Sequence, residues 1–159
     1  MEEIQHYDNI KILVFSLDEL SYALDLSTIE RVVAAVEITP LPKAPEIITG
    51  VINYHGKIIT VFNIRKLFNL PCREIEPENQ FIIAQTKKRL VAIITDSVTG
   101  IVELNPRQIV NAEQEFPFTD YISGVANLGA NLILINDLDK FLSIDEAKLL
   151  EKAIKKVTI

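Results

Sequence analysis

Ile48-Thr49-Gly50-Val51-Ile52-Asn53 and Ile122-Ser123-Gly124-Val125-Ala126-Asn127 are two versions of one strand, and their match decides how the chain folds. The correspondence runs on without a gap. Ile58-Ile59-Thr60-Val61 falls on Leu132-Ile133-Leu134-Ile135, and Ile64-Arg65-Lys66-Leu67-Phe68 on Leu138-Asp139-Lys140-Phe141-Leu142. Upstream, Ile12-Leu13-Val14-Phe15 matches Phe81-Ile82-Ile83-Ala84. Tyr22-Ala23-Leu24, with Ile29 and Val32-Val33 beyond it, matches Val91-Ala92-Ile93 with Val98 and Ile101-Val102. Self-similarity on this scale marks an internal repeat. The chain is a degenerate duplication.

Each copy has the composition of strands. Residues 10–17 and 21–26 are rich in β-branched, aromatic and leucine side chains and flank the polar turn Asp18-Glu19; their counterparts, 80–86 and 89–96, flank Lys87-Lys88. A third run, Glu30–Ile38, leads into Thr39-Pro40-Leu41-Pro42-Lys43-Ala44-Pro45. Prolines this dense cannot donate to a central ladder, so an extended surface loop is expected there. The runs Thr49–Tyr54 and Lys57–Phe62 meet at His55-Gly56, where glycine suits a tight turn with φ > 0. The second copy turns at Gly129-Ala130-Asn131, which implies a slightly different loop.

Five short strands per copy predict an all-β protein of two small five-stranded antiparallel barrels rather than one sandwich, since closure removes the edges that invite aggregation. One domain over residues 10–142 is expected, with barrels at approximately 10–70 and 80–142 and the polar stretch Asn69–Gln80 crossing between them. Strands kept within each half and strands exchanged between halves both fit the pattern. After the barrels, Ser143-Ile144-Asp145-Glu146 has the form of a capping box. Ala147, Leu150, Ala153, Ile154 and Val157 then recur at helical spacing, predicting an amphipathic helix over 143–157 that docks on a barrel.

Composition narrows the function. Of the 159 residues, 48% are apolar and 24% charged, a globular balance that rules out a disordered chain. The net charge of −6 leaves no basic stripe to neutralise phosphates, so nucleic-acid binding is not expected. No apolar run approaches the roughly 18–20 residues that cross a bilayer, and Met1-Glu2-Glu3 lacks the basic start of a signal peptide. A cytoplasmic protein with no insertion into the membrane is expected.

Chemistry is hard to place on this chain. His6 and His55 lack the short spacing of a zinc pair. The single cysteine, Cys72, has no base nearby in sequence to make it a nucleophile. The glutamates of Glu74-Ile75-Glu76-Pro77-Glu78 interleave with apolar residues as in a solvated linker, and Asp137 and Asp139 suit the start of a short helix, where acidic groups satisfy free amides. Phosphate-loop, dinucleotide and nucleophile-elbow patterns are absent. No enzyme activity, metal or cofactor is expected, and surface complementarity is left as the function.

The residues then resemble a family. Pro42-Lys43-Ala44-Pro45-Glu46-Ile47-Ile48-Thr49-Gly50-Val51-Ile52-Asn53-Tyr54-His55-Gly56 is similar to the CheW-like segment P-x-x-P-x-x-I-x-G-V-x-N-L-R-G. Asp96-Ser97-Val98 resembles the family's D-S-V. Gly124-Val125-Ala126-Asn127-Leu128-Gly129 and Ile133–Leu142 resemble its closing motifs, G-V-A-x-L-G and L-L-D-x-D-x-L-L. The resemblance spans about residues 10–142.

It implies two five-stranded SH3-like barrels and a non-catalytic adaptor that couples the cytoplasmic tip of methyl-accepting chemoreceptors to the regulatory domain of a CheA-type histidine kinase. It also implies ring assembly with kinase domains. By match to the family's turn motif, Asn53 and Gly56 fall in the region tied to coupling, and Glu30 resembles a family glutamate on the receptor-facing side. His55 stands where relatives carry arginine, so a fork-like contact to a carboxylate is weakened or rebuilt. Thr60 and Phe62-Asn63 also depart from the usual proline and valine–aspartate. The alternative is a diverged binding module that engages the kinase without ordinary receptors, or that serves a pilus-motility or other specialised pathway.

Overall fold

The computed structural model describes residues 9–111 and 121–140. The expected helix over 143–157, the final residues 141–142 of the expected domain, and His6 lie outside them. The described chain is built mainly of strands, with residues 138–140 helical: β1 (Ile10–Leu17), β2 (Leu20–Asp25), β3 (Ile29–Ala34), β4 (Ile48–Tyr54), β5 (Lys57–Phe62), β6 (Gln80–Gln85), β7 (Leu90–Thr95), β8 (Ser97–Leu104), β9 (Ile109–Asn111), β10 (Ile122–Leu128) and β11 (Asn131–Asn136). Two short 3-10 turns interrupt it, at Leu26–Thr28 and Pro106–Gln108.

The strands form two sheets, ordered β8-β1-β2-β11-β10-β9 and β3-β6-β7-β5-β4. These sheets do not follow a division of the chain at 70–80. The β1–β2 hairpin of the first half sits among strands of the second, and the β6–β7 hairpin sits among strands of the first. Each guest hairpin joins its host sheet by one parallel contact, Tyr22 and Ala23 against Leu134 and Ile135, and Val91 to Ile93 against Thr60 to Phe62. All other pairings are antiparallel. Each parallel contact has a long crossover behind it, because no short turn can join parallel neighbours.

One sheet has six strands where five were expected. The extra strand, β9, continues β8 beyond the Pro106–Gln108 turn and pairs with β10. Its counterpart in the other sheet is a single bridge, Thr39 to Val51, at the edge of the proline-rich loop; two backbone hydrogen bonds of 2.9 Å hold it. In both halves this continuation folds the sheet back toward its opposite edge. Two matched glycines permit the approach. A Cβ on Gly50 would collide with the Thr39 carbonyl oxygen, and one on Gly124 would meet Ile109 Cγ2 at 2.8 Å.

Exchange explains why the guest strands are apolar on both faces. In β1, Ile12 and Val14 enter a cluster with Ala23, Ala126, Ile133 and Ile135 inside the first sheet, whereas Leu13, Phe15 and Leu17 enter a second cluster between the sheets. In β6, Phe81 and Ile83 line the interior of the second sheet while Ile82 and Ala84 join that same central cluster. Side chains on a strand alternate between faces, so burial on both gives an unbroken apolar run. Phe15, Ile82, Ile93 and Leu24 are at most 1% exposed, and each contributes on the order of 1.5–3 kcal/mol by burial.

One charged cluster pins the sheets together. Arg65, just after β5, is 4% exposed. Its Nη2 donates to both oxygens of Asp96 at 2.6 and 2.7 Å, and its Nη1 to Asp18 Oδ1 at 2.9 Å and the Pro71 carbonyl at 3.2 Å. Asp96 Oδ2 in turn accepts the Asp18 backbone N–H, and Arg73 Nη2 stands 3.0 Å from Asp18 Oδ1. The β1–β2 turn of one sheet, the β7–β8 junction and the linker between halves thus converge on one guanidinium.

Candidate functional site

Three of the four expected site residues lie on the β4–β5 hairpin. Tyr54 pairs with Lys57, leaving the two-residue loop His55-Gly56, with φ of 50° and 84°. Both central residues take the left-handed region, as a type I′ turn requires. Glycine does so freely, whereas His55 is held there. Asn53 Oδ1 accepts the Gly56 N–H at 2.9 Å, so this side chain serves the turn itself, the common use of asparagine beside a glycine. The β10–β11 hairpin has the same loop length: Leu128 pairs with Asn131, and Gly129 alone takes positive φ, at 75°. The two copies differ in turn type rather than in loop size.

Glu30 lies on β3, at the opposite edge of the same sheet from β4. Ile29 pairs with Ala84 and Arg31 with Ile83, so Glu30 is the extra residue of a bulge and projects from a locally kinked edge. Tyr54 and Arg31 carry it to the hairpin. The Tyr54 hydroxyl is held above its usual pKa, first by burial and then by the hydrogen bond and charge of Glu30, with Arg31 opposing. Arg31 Nη1 donates to His55 Nε2 at 3.4 Å, arginine having no acceptor to offer. The Tyr54 and His55 rings meet edge-on, with centroids 4.5 Å apart and planes at 66°. Glu30, Asn53, His55 and Gly56 are therefore gathered on one exposed seam where the sheet's two edges approach.

Arg31, Tyr54 and Ile58 belong to this seam although the sequence reading did not place them there. Ile58 stands opposite Asn53 across the hairpin and is 68% exposed. In sequence this isoleucine is indistinguishable from the buried Ile59 beside it. The duplication offered a signal, since its match, Leu132, is 62% exposed at the equivalent place.

Cys72 is exposed, and Lys66 beside it has its pKa raised, first by a hydrogen bond to the Cys72 sulfur and then by its charge. Among the described residues no group of three or more His, Cys, Asp or Glu side chains could hold a metal ion. No helix among them is long and apolar enough to cross a membrane.

Comparison with known proteins agrees with this architecture. The family model described as the CheW-like domain matches residues 11–146. The chain is similar to the chemotaxis protein CheW of Thermotoga maritima, 31% identical over 132 residues that cover 83% of this chain and 87% of the relative. It is 26% identical to CheW of Klebsiella aerogenes over 148 residues, 91% and 89% of the two chains. The crystal structure of the scaffolding protein TtCheW from Thermoanaerobacter tengcongensis superposes with a TM-score of 0.76 at 32% identity, covering 83% of this chain and 91% of that one. Fold, duplication and motif order converge: the chain belongs to the CheW-like domain family.

Proposed function

We propose that this chain is a non-catalytic cytoplasmic adaptor that joins the cytoplasmic tip of a chemoreceptor to the regulatory domain of a CheA-type histidine kinase. The observation that carries this reading is the exposed seam of Glu30, Arg31, Tyr54 and His55 with Ile58 beside it, mounted on strands whose partners are buried on both faces. An apolar anchor with a polar rim on a rigid body suits protein recognition. A body that touches receptor and kinase together passes a signal by contacting the states of either partner unequally. Family membership supports the same reading.

The test is calorimetric titration of the chain with a CheA regulatory domain and, separately, with a receptor cytoplasmic fragment. Binding of both, and a ternary complex by size-exclusion chromatography, is expected. Failure to bind either partner overturns the proposal.

A further inference from the structure

Two hairpins at matched places in the duplication each carry a bare aliphatic side chain, Ile58 on β5 and Leu132 on β11. The residues around them do not match in kind. Arg31 pairs with Ile83 as Gly100 pairs with Val14, and the bulge that sets out Glu30 sets out Thr99 in the other copy. Tyr54 pairs with Lys57 across His55-Gly56 as Leu128 pairs with Asn131 across Gly129-Ala130. Glu30, Arg31, His55 and Lys57 therefore correspond to Thr99, Gly100, Gly129 and Asn131. An apolar contact alone could form at either hairpin; the polar set singles out one of them.

Within that set Arg31 has donors to spare. It is exposed, and of its five N–H groups one reaches an acceptor, His55 Nε2, at 3.4 Å. Among the described residues it forms no salt bridge. Glu30, next to it in the chain, is engaged with the Tyr54 hydroxyl instead. The ring that receives the Arg31 N–H is itself seated, edge-on against Tyr54. The fold thus orients this guanidinium against a neutral group and leaves its charge unanswered. Lys57, the other cation of the set, carries a compact, strongly hydrated charge and offers no fork.

We propose that Arg31, steadied by His55, binds a carboxylate side chain of the protein that docks on the β4–β5 hairpin, beside the apolar contact made by Ile58. A planar fork matches the two oxygens of an aspartate or glutamate. Covering the hairpin takes water from the pair and strengthens it, since charges attract more strongly where solvent is excluded. The inference rests on the adaptor reading and adds the charge that its partner must present at this hairpin.

The test titrates the full chain and its variants calorimetrically with a CheA regulatory domain and, separately, with a receptor cytoplasmic fragment. Arg31→Gln is expected to weaken binding to at least one of them about tenfold or more, the scale of a lost charged hydrogen bond. Its melting temperature should match the parent's. Arg31→Lys, which keeps the charge without the fork, should recover only part of the loss. Added sodium chloride should weaken the parent more than Arg31→Gln. Unchanged affinity of Arg31→Gln for both partners would overturn the proposal, as would an equal loss from Lys57→Gln, the sign of a diffuse charge effect. A parent chain that binds neither partner overturns the adaptor reading as well, whereas binding indifferent to Arg31 leaves that reading standing.

Discussion

Arg65 Nη2 sits between the two carboxylate oxygens of Asp96, at 2.6 and 2.7 Å, with the arginine almost wholly inside the protein. Thirty-one residues of chain separate them, and the contact fastens the end of β5 to the β7–β8 junction. A hydrogen bond between a guanidinium and a carboxylate is among the stronger contacts a protein makes.

Cutting one side of that pair strands a part-buried carboxylate. Arg65→Met takes the cation from Asp96 and leaves Asp18 with Arg73 alone, although both carboxylates retain some solvent, at 22% for Asp18 and 25% for Asp96. A loss of about 2–3 kcal/mol is expected, below the 3–5 kcal/mol of fully buried pairs. Urea denaturation of both proteins checks it, and a midpoint equal to the parent's refutes the cluster's role as a fastener.

Tyr22 supplies a pH dependence. It is 2% exposed, and burial above all, then the charge of Asp18, raises its pKa from 10.0, with Arg65 opposing. A raised pKa means that the folded chain holds the proton longer than the unfolded one. The associated stability is complete below pH 10.0 and declines as pH climbs through the folded value. Thermal melts between neutral pH and the alkaline range should fall faster for the parent than for Tyr22→Phe; parallel curves would contradict this.

Gly50 and Gly124 should differ in tolerance. Alanine at 50 drives a methyl into the fixed Thr39 carbonyl, whereas at 124 the nearest atom is the movable Ile109 Cγ2 at 2.8 Å. Gly50→Ala is expected to cost about 3 kcal/mol and Gly124→Ala about 1–2 kcal/mol, within the usual range for overpacking. Denaturant midpoints give the order directly, and the reverse order would show that the bridge at Thr39 yields.

At the seam, binding and stability should come apart. Ile58→Asp changes a side chain that is 68% exposed, so its melting temperature should stay near the parent's. Affinity for a kinase regulatory domain or a receptor fragment should fall at least about tenfold, as at a contact hot spot. Unaltered affinity for both would remove the β4–β5 hairpin from the interface.

Restoring arginine at the turn tests the departure from the family pattern. His55→Arg gives up acceptance from Arg31 and offers a second fork beside Glu30. A several-fold gain in receptor-fragment affinity by calorimetry is expected. No change would mean that the turn's side chain does not touch the receptor.

Much of the architecture was legible because the repeat fixed strand positions twice over, and Gly50 and Gly124 marked the same bend in both copies. The partnering of strands was not. Alternation tells which faces a strand buries but not which sheet buries them, and the runs Ile12–Phe15 and Phe81–Ala84 are apolar on both faces in either arrangement. The Arg65 cluster was equally hidden, since Asp18, Arg65 and Asp96 come together only after both hairpins cross over. At the seam, Asn53 and Gly56 were found through their turn, whereas Arg31 and Tyr54 act across two edges that the chain brings together over more than twenty residues.

Hairpin exchange also bears on origins and on cutting the chain. A single ancestral copy could have completed its sheet by lending its first hairpin to a twin and borrowing one back, as an intertwined homodimer. Fusing two such genes would then have turned mutual borrowing into a single polypeptide. Severed in the linker between Cys72 and Asn79, the present protein would become two pieces, each unable to close its barrel without the other and each carrying the strands that its sibling lacks.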